Sequence, residues 1–200
     1  MYDLLPLSAL AGYLLGSIPF GFLVARMRGI DIRQHGSGNI GATNVLRVVG
    51  RKWGFLVFAL DALKGFLAVY GTMLLVSTAP AALIAAALGC ILGHNFPVWL
   101  RFKGGKGIAT TAGALIGLFP LAIGVAFLVW VALFYATRYV SLASIGAAAV
   151  LPPVVWWQAG SFNAFVGFSF LIAALAIWRH RSNIRRLLDG TENRFERKKT

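Results

Sequence analysis

The sequence is poor in acidic residues and in cysteine. Six of its 200 residues are Asp or Glu, against 19 that are Lys or Arg. The single cysteine, Cys90, excludes an intramolecular disulfide, and its apolar surroundings predict an inert side chain. The few carboxylates have no ligand-like spacing to a histidine, so we expect no metal and no cofactor. A serine nucleophile is not indicated either, because no Gly-x-Ser-x-Gly pattern occurs.

Charge of either sign is scarce in most of the chain. Only 12% of the residues are charged and 58% are hydrophobic, whereas about 25% are charged in a typical soluble domain. A run of about 18 or more apolar residues predicts a membrane-spanning helix. We therefore expect an all-α polytopic membrane protein with seven transmembrane helices, some of them short, that forms a single domain over residues 1–200. The predicted spans are Leu4–Val24, Trp53–Thr78, Pro80–Leu92, Ile108–Phe119, Pro120–Thr137, Val140–Trp157 and Phe162–Trp178.

Two of these spans have unusual features. The segment Ile108–Phe119 would rise only about 18 Å as a helix, against a bilayer core of about 30 Å, so we expect a half-helix there. Asp61 and Lys64 lie well inside a span at a spacing of one helical turn, where they can pair. Such a pair either serves the function directly or fixes helix packing.

The positive charge is concentrated in three clusters. All but two of the Lys and Arg residues belong to them, the exceptions being Lys64 and Arg138. The clusters comprise Arg26, Arg28, Arg33, Arg47, Arg51 and Lys52, then Arg101, Lys103 and Lys106, and finally Arg179, Arg181, Arg185, Arg186, Arg194, Arg197, Lys198 and Lys199. Charge that flanks apolar spans disfavours nucleic-acid binding, which uses a soluble face.

The clusters also predict the orientation of the chain. Cytoplasmic loops of membrane proteins are rich in Lys and Arg. We therefore expect all three clusters and the C-terminus on the cytoplasmic side, and the N-terminus, with its acidic Asp3, outside. Their polar motifs can then share one site.

The first motif, Gly36–Asn44, is dense in glycine and in hydrogen-bond donors. Glycine exposes backbone N–H groups and permits the conformations of an anion-binding nest. Further donors come from the side chains of Ser37, Asn39, Thr43, Asn44 and Arg47. The motif therefore predicts phosphate binding.

The second motif surrounds Lys103 and Lys106 with glycine. It lacks the Ser or Thr that follows the lysine of nucleotide triphosphatases, because Gly107 stands there, so ATP hydrolysis is disfavoured. A helix predicted from Ile108 would direct its N-terminus toward an anion. The third motif contains His180 and, three residues later on the same predicted helix face, Asn183.

In order and spacing, these motifs resemble the PlsY family, the acyl-phosphate:glycerol-3-phosphate acyltransferases of bacterial inner membranes. The resemblance rests on Gly36–Arg47, Gly93–Pro97, Lys103–Gly107, Arg138–Ser144 and His180–Leu187 with Gly190 and Glu192. It implies that a fatty acyl group passes from acyl phosphate to the 1-hydroxyl of glycerol 3-phosphate, giving lysophosphatidic acid and phosphate, the first step of phospholipid biosynthesis. We expect a monomer among membrane lipids, with its active site on the cytoplasmic face of the inner membrane.

The resemblance also implies roles for single residues. The catalytic residues would be Arg47, Lys106, His180 and Asn183. The substrate-binding residues would be Ser37, Gly38, Asn39, Thr43, Asn44, Lys103, Gly104, Gly105, Gly107, Ser141 and Glu192. Glu192 would orient an arginine or histidine rather than act as a base. Either His180 or a phosphate of the substrate would accept the hydroxyl proton.

Two other classes of function remain open at this point. Basic loops on one face of a multi-spanning protein also suit a transporter of a phosphorylated metabolite, although no repeated half is visible in the sequence. A purely structural membrane protein would leave the glycine-rich motifs unexplained.

Overall fold

The computed structural model describes residues 4–195, and within that range every regular element is helical, as predicted. Asp3, Arg197, Lys198 and Lys199, which entered the predicted orientation and the third cluster, lie outside the described residues. The chain divides into two compact units, an N-terminal unit of residues 1–118 and a C-terminal unit of residues 119–200. The single domain over residues 1–200 stays a prediction.

The N-terminal unit contains six α-helices and two short 3-10 turns in its described part. The helices are α1 (Leu5–Gly16), α2 (Phe20–Met27), α3 (Ala42–Val48), α4 (Arg51–Leu75), α5 (Pro80–Asn95) and α6 (Ile108–Ile116). The predicted first span is broken at Pro19, whose missing N–H and fixed φ interrupt the helix between α1 and α2. Helix α6 begins at Ile108, as expected, and has only nine residues.

Small residues bring the helices of this unit close together. Gly12 and Gly16 of α1 lie directly against the backbone of α5, where a Cβ would overlap the carbonyl groups of Ala86 and Cys90. Gly65 of α4 meets α6 in the same way. Without a hydrophobic force between helices in lipid, such close backbone approach is a main source of helix association.

The C-terminal unit contains four α-helices in its described part. They are α7 (Pro120–Thr137), α8 (Val140–Ala159), α9 (Ala164–Arg179) and α10 (Arg181–Leu188). A segment after α10 returns to the turn between α7 and α8, where the N–H of Phe195 donates to the carbonyl of Arg138 at 3.0 Å. The rings of Phe134 and Phe195 pack edge to face there.

Five helical segments among residues 4–195 are long and apolar enough to cross a membrane: Leu5–Met27, Arg51–Leu75, Pro80–Leu100, Pro120–Thr137 and Val140–Ala159. The pair α9 and α10 adds a sixth if its two helices, bent by 54°, form one broken span. Helix α6 is too short to be counted, consistent with a half-helix. The predicted number of seven spans and the orientation of the termini stay predictions.

Candidate active site

The first motif follows a short 3-10 turn, Ile32–Gln34, which the side chain of Asp31 caps. The carboxylate of Asp31 accepts from the backbone N–H of Arg33 and from its guanidinium, and the hydrogen bond from that guanidinium lowers the pKa of Asp31 to about 2. The chain then reverses at Gly38, whose φ of 69° favours glycine. The N–H of Gly38 donates to the carbonyl of His35 at 3.0 Å.

Asn44 is the centre of this loop and is 2% exposed. Its Oδ1 accepts from the N–H of Ser37 at 2.9 Å. Its Nδ2 donates to the carbonyls of Ile32, His35 and Asn39 at 3.3, 3.0 and 2.9 Å. Both ends of the side-chain amide are therefore engaged inside the loop. This arrangement gives Asn44 a scaffolding role, where the sequence had suggested contact with substrate.

The other polar residues of the motif lie nearer the surface. Ser37 is exposed, and Asn39 is half-buried with its Oδ1 accepting from the N–H of Gly41 at 2.8 Å. Thr43 and Arg47 are half-buried on α3. These four side chains remain candidates for substrate contact, on a backbone that Asn44 holds in place.

The first and second motifs are held by one hydrophobic cluster of the N-terminal unit. Ile40 and Val45, from the first motif and α3, pack in the same buried cluster as Leu100, which precedes the second motif. Val57 of α4 belongs to the same cluster. Leu100 brings the chain just before the second motif to this cluster, and the expectation that all three motifs share one site stays a prediction.

The second motif folds back on the end of α5. The N–H of Gly104 donates to the carbonyl of Asn95 at 3.2 Å, and that of Gly105 to the carbonyl of His94 at 3.0 Å. These two N–H groups therefore face the protein and not a ligand. Gly107 has a φ of 80°, and a Cβ there would stand 2.8 Å from the Asn95 Oδ1.

Helix α6 starts directly after this loop. The first N–H groups of any α-helix have no partner within the helix, and they carry partial positive charge that favours an anion. Lys106, two residues before Ile108, is half-buried, and Lys103 is exposed. The loop thus brings two lysines into the sequence that leads directly into α6.

The C-terminal unit has a polar cluster around Glu192. Its Oε1 accepts from the hydroxyl of Ser141 at 2.8 Å and from the Nδ2 of Asn183 at 2.7 Å, and its Oε2 accepts from the Nε of Arg186 at 2.7 Å. Burial raises the pKa of Glu192, but these three hydrogen bonds outweigh that effect and hold the pKa below its usual value. Glu192 therefore joins Ser141, Asn183 and Arg186 in one hydrogen-bonded cluster, and its role toward substrate stays a prediction.

His180 stands where the last helices bend. It lies between the last residue of α9 and the first residue of α10. The sequence predicted His180 and Asn183 on one face of a single helix, but Asn183 belongs to α10 and His180 caps both helices. Its Nδ1 lies 2.8 Å from the carbonyl of Ala176, and because a carbonyl only accepts, Nδ1 carries the proton. The neutral ring then has its basic lone pair on Nε2.

The structure thus places the predicted site residues in two groups. The N-terminal unit holds Ser37, Gly38, Asn39, Thr43, Asn44, Arg47, Lys103, Gly104, Gly105, Lys106 and Gly107, and the C-terminal unit holds Ser141, His180, Asn183 and Glu192. Residues 4–195 contain no group of three or more His, Cys, Asp or Glu side chains that could hold a metal ion. Sequence reasoning missed the scaffolding role of Asn44, and the contact of His94 with Lys64.

Known proteins resemble this chain over nearly its whole length. The family model described as glycerol-3-phosphate acyltransferase matches residues 6–190. A glycerol-3-phosphate acyltransferase of Desulforamulus reducens is 49% identical over 193 residues, covering 96% of this chain and 95% of the relative. One from Myxococcus xanthus is 49% identical over 187 residues, covering 93% and 97%.

A solved structure agrees with these relatives. The crystal structure of PlsY, an integral membrane glycerol 3-phosphate acyltransferase, in its glycerol 3-phosphate form has a TM-score of 0.90 and 43% identity, covering 96% of each chain. Its lysophosphatidic acid form has a TM-score of 0.87 at the same identity, covering 96% of this chain and 95% of that one. Together with the apolar helices, this similarity confirms the predicted all-α polytopic membrane fold.

Proposed function

Because this chain belongs to the glycerol-3-phosphate acyltransferase family, we propose that it transfers a fatty acyl group from acyl phosphate to the 1-hydroxyl of glycerol 3-phosphate. The products are lysophosphatidic acid and inorganic phosphate. The observation that carries this proposal is the pair of cationic, glycine-rich loops in the N-terminal unit, the first packed in a buried cluster that also contains Leu100, just before the second. Two anion-binding loops suit a reaction in which both substrates carry a phosphate.

Arg47 and Lys106 bind the phosphate of glycerol 3-phosphate in this proposal. Each is half-buried, so its charge is screened less by solvent than that of a fully exposed side chain. A guanidinium can donate two parallel hydrogen bonds to a phosphate, and an ammonium supplies a compact charge. Ser37, Asn39 and Thr43 contact the acyl phosphate from the loop that Asn44 holds in place.

The polar residues of the C-terminal unit are positioned by Glu192. Ser141 and Asn183 are buried and are held by Glu192, so their positions are set before substrate arrives. Such preorganisation lowers the cost of orienting the substrate. His180 contributes the lone pair on its Nε2 as a hydrogen-bond acceptor.

The chemical step needs no covalent intermediate, because acyl phosphate is a mixed anhydride. The hydroxyl oxygen attacks the acyl carbon and forms the new ester bond. The bond from that carbon to the phosphate oxygen breaks, and the phosphate leaves with the electron pair. The hydroxyl proton passes to a phosphate oxygen of the substrate. We prefer this acceptor to His180 because the Nδ1 of His180 donates to a neutral carbonyl, which stabilises an imidazolium less than a carboxylate does.

The enzyme works as a monomer among membrane lipids of the inner membrane, with its basic motifs in the cytoplasm. The positive-inside rule supports this orientation. Single cysteines at Ser37, Lys103 and Ser182, introduced into a Cys90→Ala background, can be tested with an impermeant thiol reagent on intact cells. We expect labelling only after the membrane is opened. Strong labelling of any of the three positions from outside would contradict the orientation.

The function is tested with purified protein in detergent, radiolabelled glycerol 3-phosphate and three acyl donors. We expect lysophosphatidic acid with acyl phosphate, and none with acyl coenzyme A or acyl carrier protein. Product from a thioester but not from acyl phosphate would contradict the proposed donor. Uptake of labelled glycerol 3-phosphate into protein-containing liposomes without any acylated product would support a transporter instead.

A further inference from the structure

Helix α4 carries two opposite charges in the interior of the N-terminal unit. The side chains of Asp61 and Lys64 are 3% and 1% exposed, and Lys64 Nζ lies 2.8 Å from Asp61 Oδ1. The ammonium of Lys64 also donates to the carbonyl of Ile18 at 2.9 Å. Charges within a membrane-spanning helix are costly and call for a functional explanation. An ion pair that served only stability could be replaced by apolar side chains at little cost.

The same ammonium contacts His94, at the end of α5. Lys64 Nζ lies 3.0 Å from His94 Nδ1. The same ring nitrogen lies 3.5 Å from Asp61 Oδ1. The ammonium, the carboxylate and the imidazole therefore form one buried contact group, in which the charge of Lys64 is paired with that of Asp61.

The other side of the His94 ring faces the second motif. A Cβ added to Gly105 would overlap the Nε2 of His94, so the ring lies directly against the loop backbone. The backbone of His94 holds the same residue, because its carbonyl accepts from the N–H of Gly105 at 3.0 Å. Lys106 is the next residue in the chain after Gly105. A continuous path of contacts therefore runs from the buried ion pair to the residue beside Lys106.

We propose that Asp61, Lys64 and His94 form a positioning triad that holds the Lys103–Gly107 loop in the conformation that binds substrate phosphate. Lys64 and Asp61 fix the orientation of the His94 ring through its Nδ1, and Asp61 balances the charge of Lys64. The ring and carbonyl of His94 then fix the position of Gly105, and with it that of Lys106. The three residues touch no substrate and act through the loop. This inference rests on the proposed function, since it assigns the loop to phosphate.

The test replaces the pair with apolar side chains of similar size, in the double variant Asp61→Leu/Lys64→Met. Thr72→Val is the matched control, because Thr72 is buried on the same helix and donates only within it, to the carbonyl of Ala68 at 2.8 Å. We expect both variants to fold, as judged by thermal unfolding in detergent. In the double variant, the KM for glycerol 3-phosphate and the inhibition constant of inorganic phosphate should each rise by about tenfold, as on loss of one charge-assisted hydrogen bond. The control should change neither constant.

A merely structural role is separated from positioning by combining these changes with Lys106→Ala. If the triad acts through the loop, the double variant adds little to the KM once Lys106 is absent, and the effects are strongly non-additive. A further tenfold rise in the Lys106→Ala background would overturn the proposal. His94→Gln gives a second variant if the double variant fails to fold, with the same expected non-additivity.

Amide hydrogen exchange supplies a readout that does not need activity. Exchange at the N–H of Gly105 should be about tenfold or more faster in the double variant than in the wild type or the Thr72→Val control. Unchanged exchange would contradict the positioning triad even if the wild-type protein is an active acyltransferase. Faster exchange in a protein without acyltransferase activity would support the triad and contradict the proposed function.

Discussion

Replacing Asn44 by alanine should loosen the first motif without unfolding the protein. The change removes four hydrogen bonds, one accepted from Ser37 and three donated to Ile32, His35 and Asn39. Each contributes about 1 kcal/mol, and water replaces part of this in a loop near the surface, so we expect a loss of about 2 kcal/mol in local stability. Amide exchange at Ser37 should then be about thirtyfold faster, and turnover should fall with it.

Two comparison variants make this prediction specific. Asn39→Ala removes the single hydrogen bond that Asn39 Oδ1 accepts from the N–H of Gly41. Exchange at the Gly41 N–H should therefore be about fivefold faster. Asn44→Asp keeps an acceptor for the N–H of Ser37 but sets a second oxygen against three carbonyls, and it should be at least as damaging as alanine. If Asn44→Ala leaves exchange at Ser37 unchanged while abolishing turnover, Asn44 contacts the substrate directly and the scaffolding role is wrong.

The remaining predictions concern both units. Lys106→Ala and Arg47→Ala should each raise the KM for glycerol 3-phosphate, lower kcat, or both, by about tenfold or more. Arg51 is exposed, and Arg51→Ala should behave as wild type. Wild-type kinetics of a folded Lys106→Ala protein would show that the Lys103–Gly107 loop is structural. His180→Gln should retain much of the turnover with a little-changed pH profile; a loss of about 10² or more in kcat together with the acidic limb would make His180 the general base. The folded state lowers the pKa of Glu192, so its stabilisation is complete above the pKa of an unfolded glutamate and is lost as the pH falls through the lower, folded pKa. On acidification, the Tm of the wild type should therefore fall more than that of Glu192→Gln. An equal fall in Tm for the two proteins would contradict the role of Glu192 as the hub of its hydrogen-bonded cluster.

The long helices were largely predictable because each is a local apolar run with its own boundary residues. The predicted starts at Pro80, Ile108, Pro120 and Val140 agree with the starts of α5, α6, α7 and α8. The break at Pro19 was missed because the apolar run continues across it. The bend at His180 was missed for the same reason, since hydropathy reports composition and not the path of the backbone.

The sequence identified the motifs by their residue types, but it did not distinguish the residues that support a loop from those that are exposed to a ligand. Asn44 and Ser37 looked alike in the sequence as donors, yet Asn44 is buried and engaged in its own loop while Ser37 is exposed. The spacing of Asp61 and Lys64 predicted their pairing, which the structure confirms. Their contact with His94 joins residues 30 positions apart and depends on the packing of two helices, which no local pattern reports.

Acyl transfer by this protein is tested by measuring both products of one reaction. Purified protein is given acyl phosphate and glycerol 3-phosphate, and lysophosphatidic acid and inorganic phosphate are followed together. We expect equal amounts of the two products from the wild type, and a large loss of both from the Arg47→Ala/Lys106→Ala variant. Release of phosphate without lysophosphatidic acid, or equal turnover by the double variant, would contradict the claim that the cationic glycine-rich loops bind the substrates of an acyl transfer.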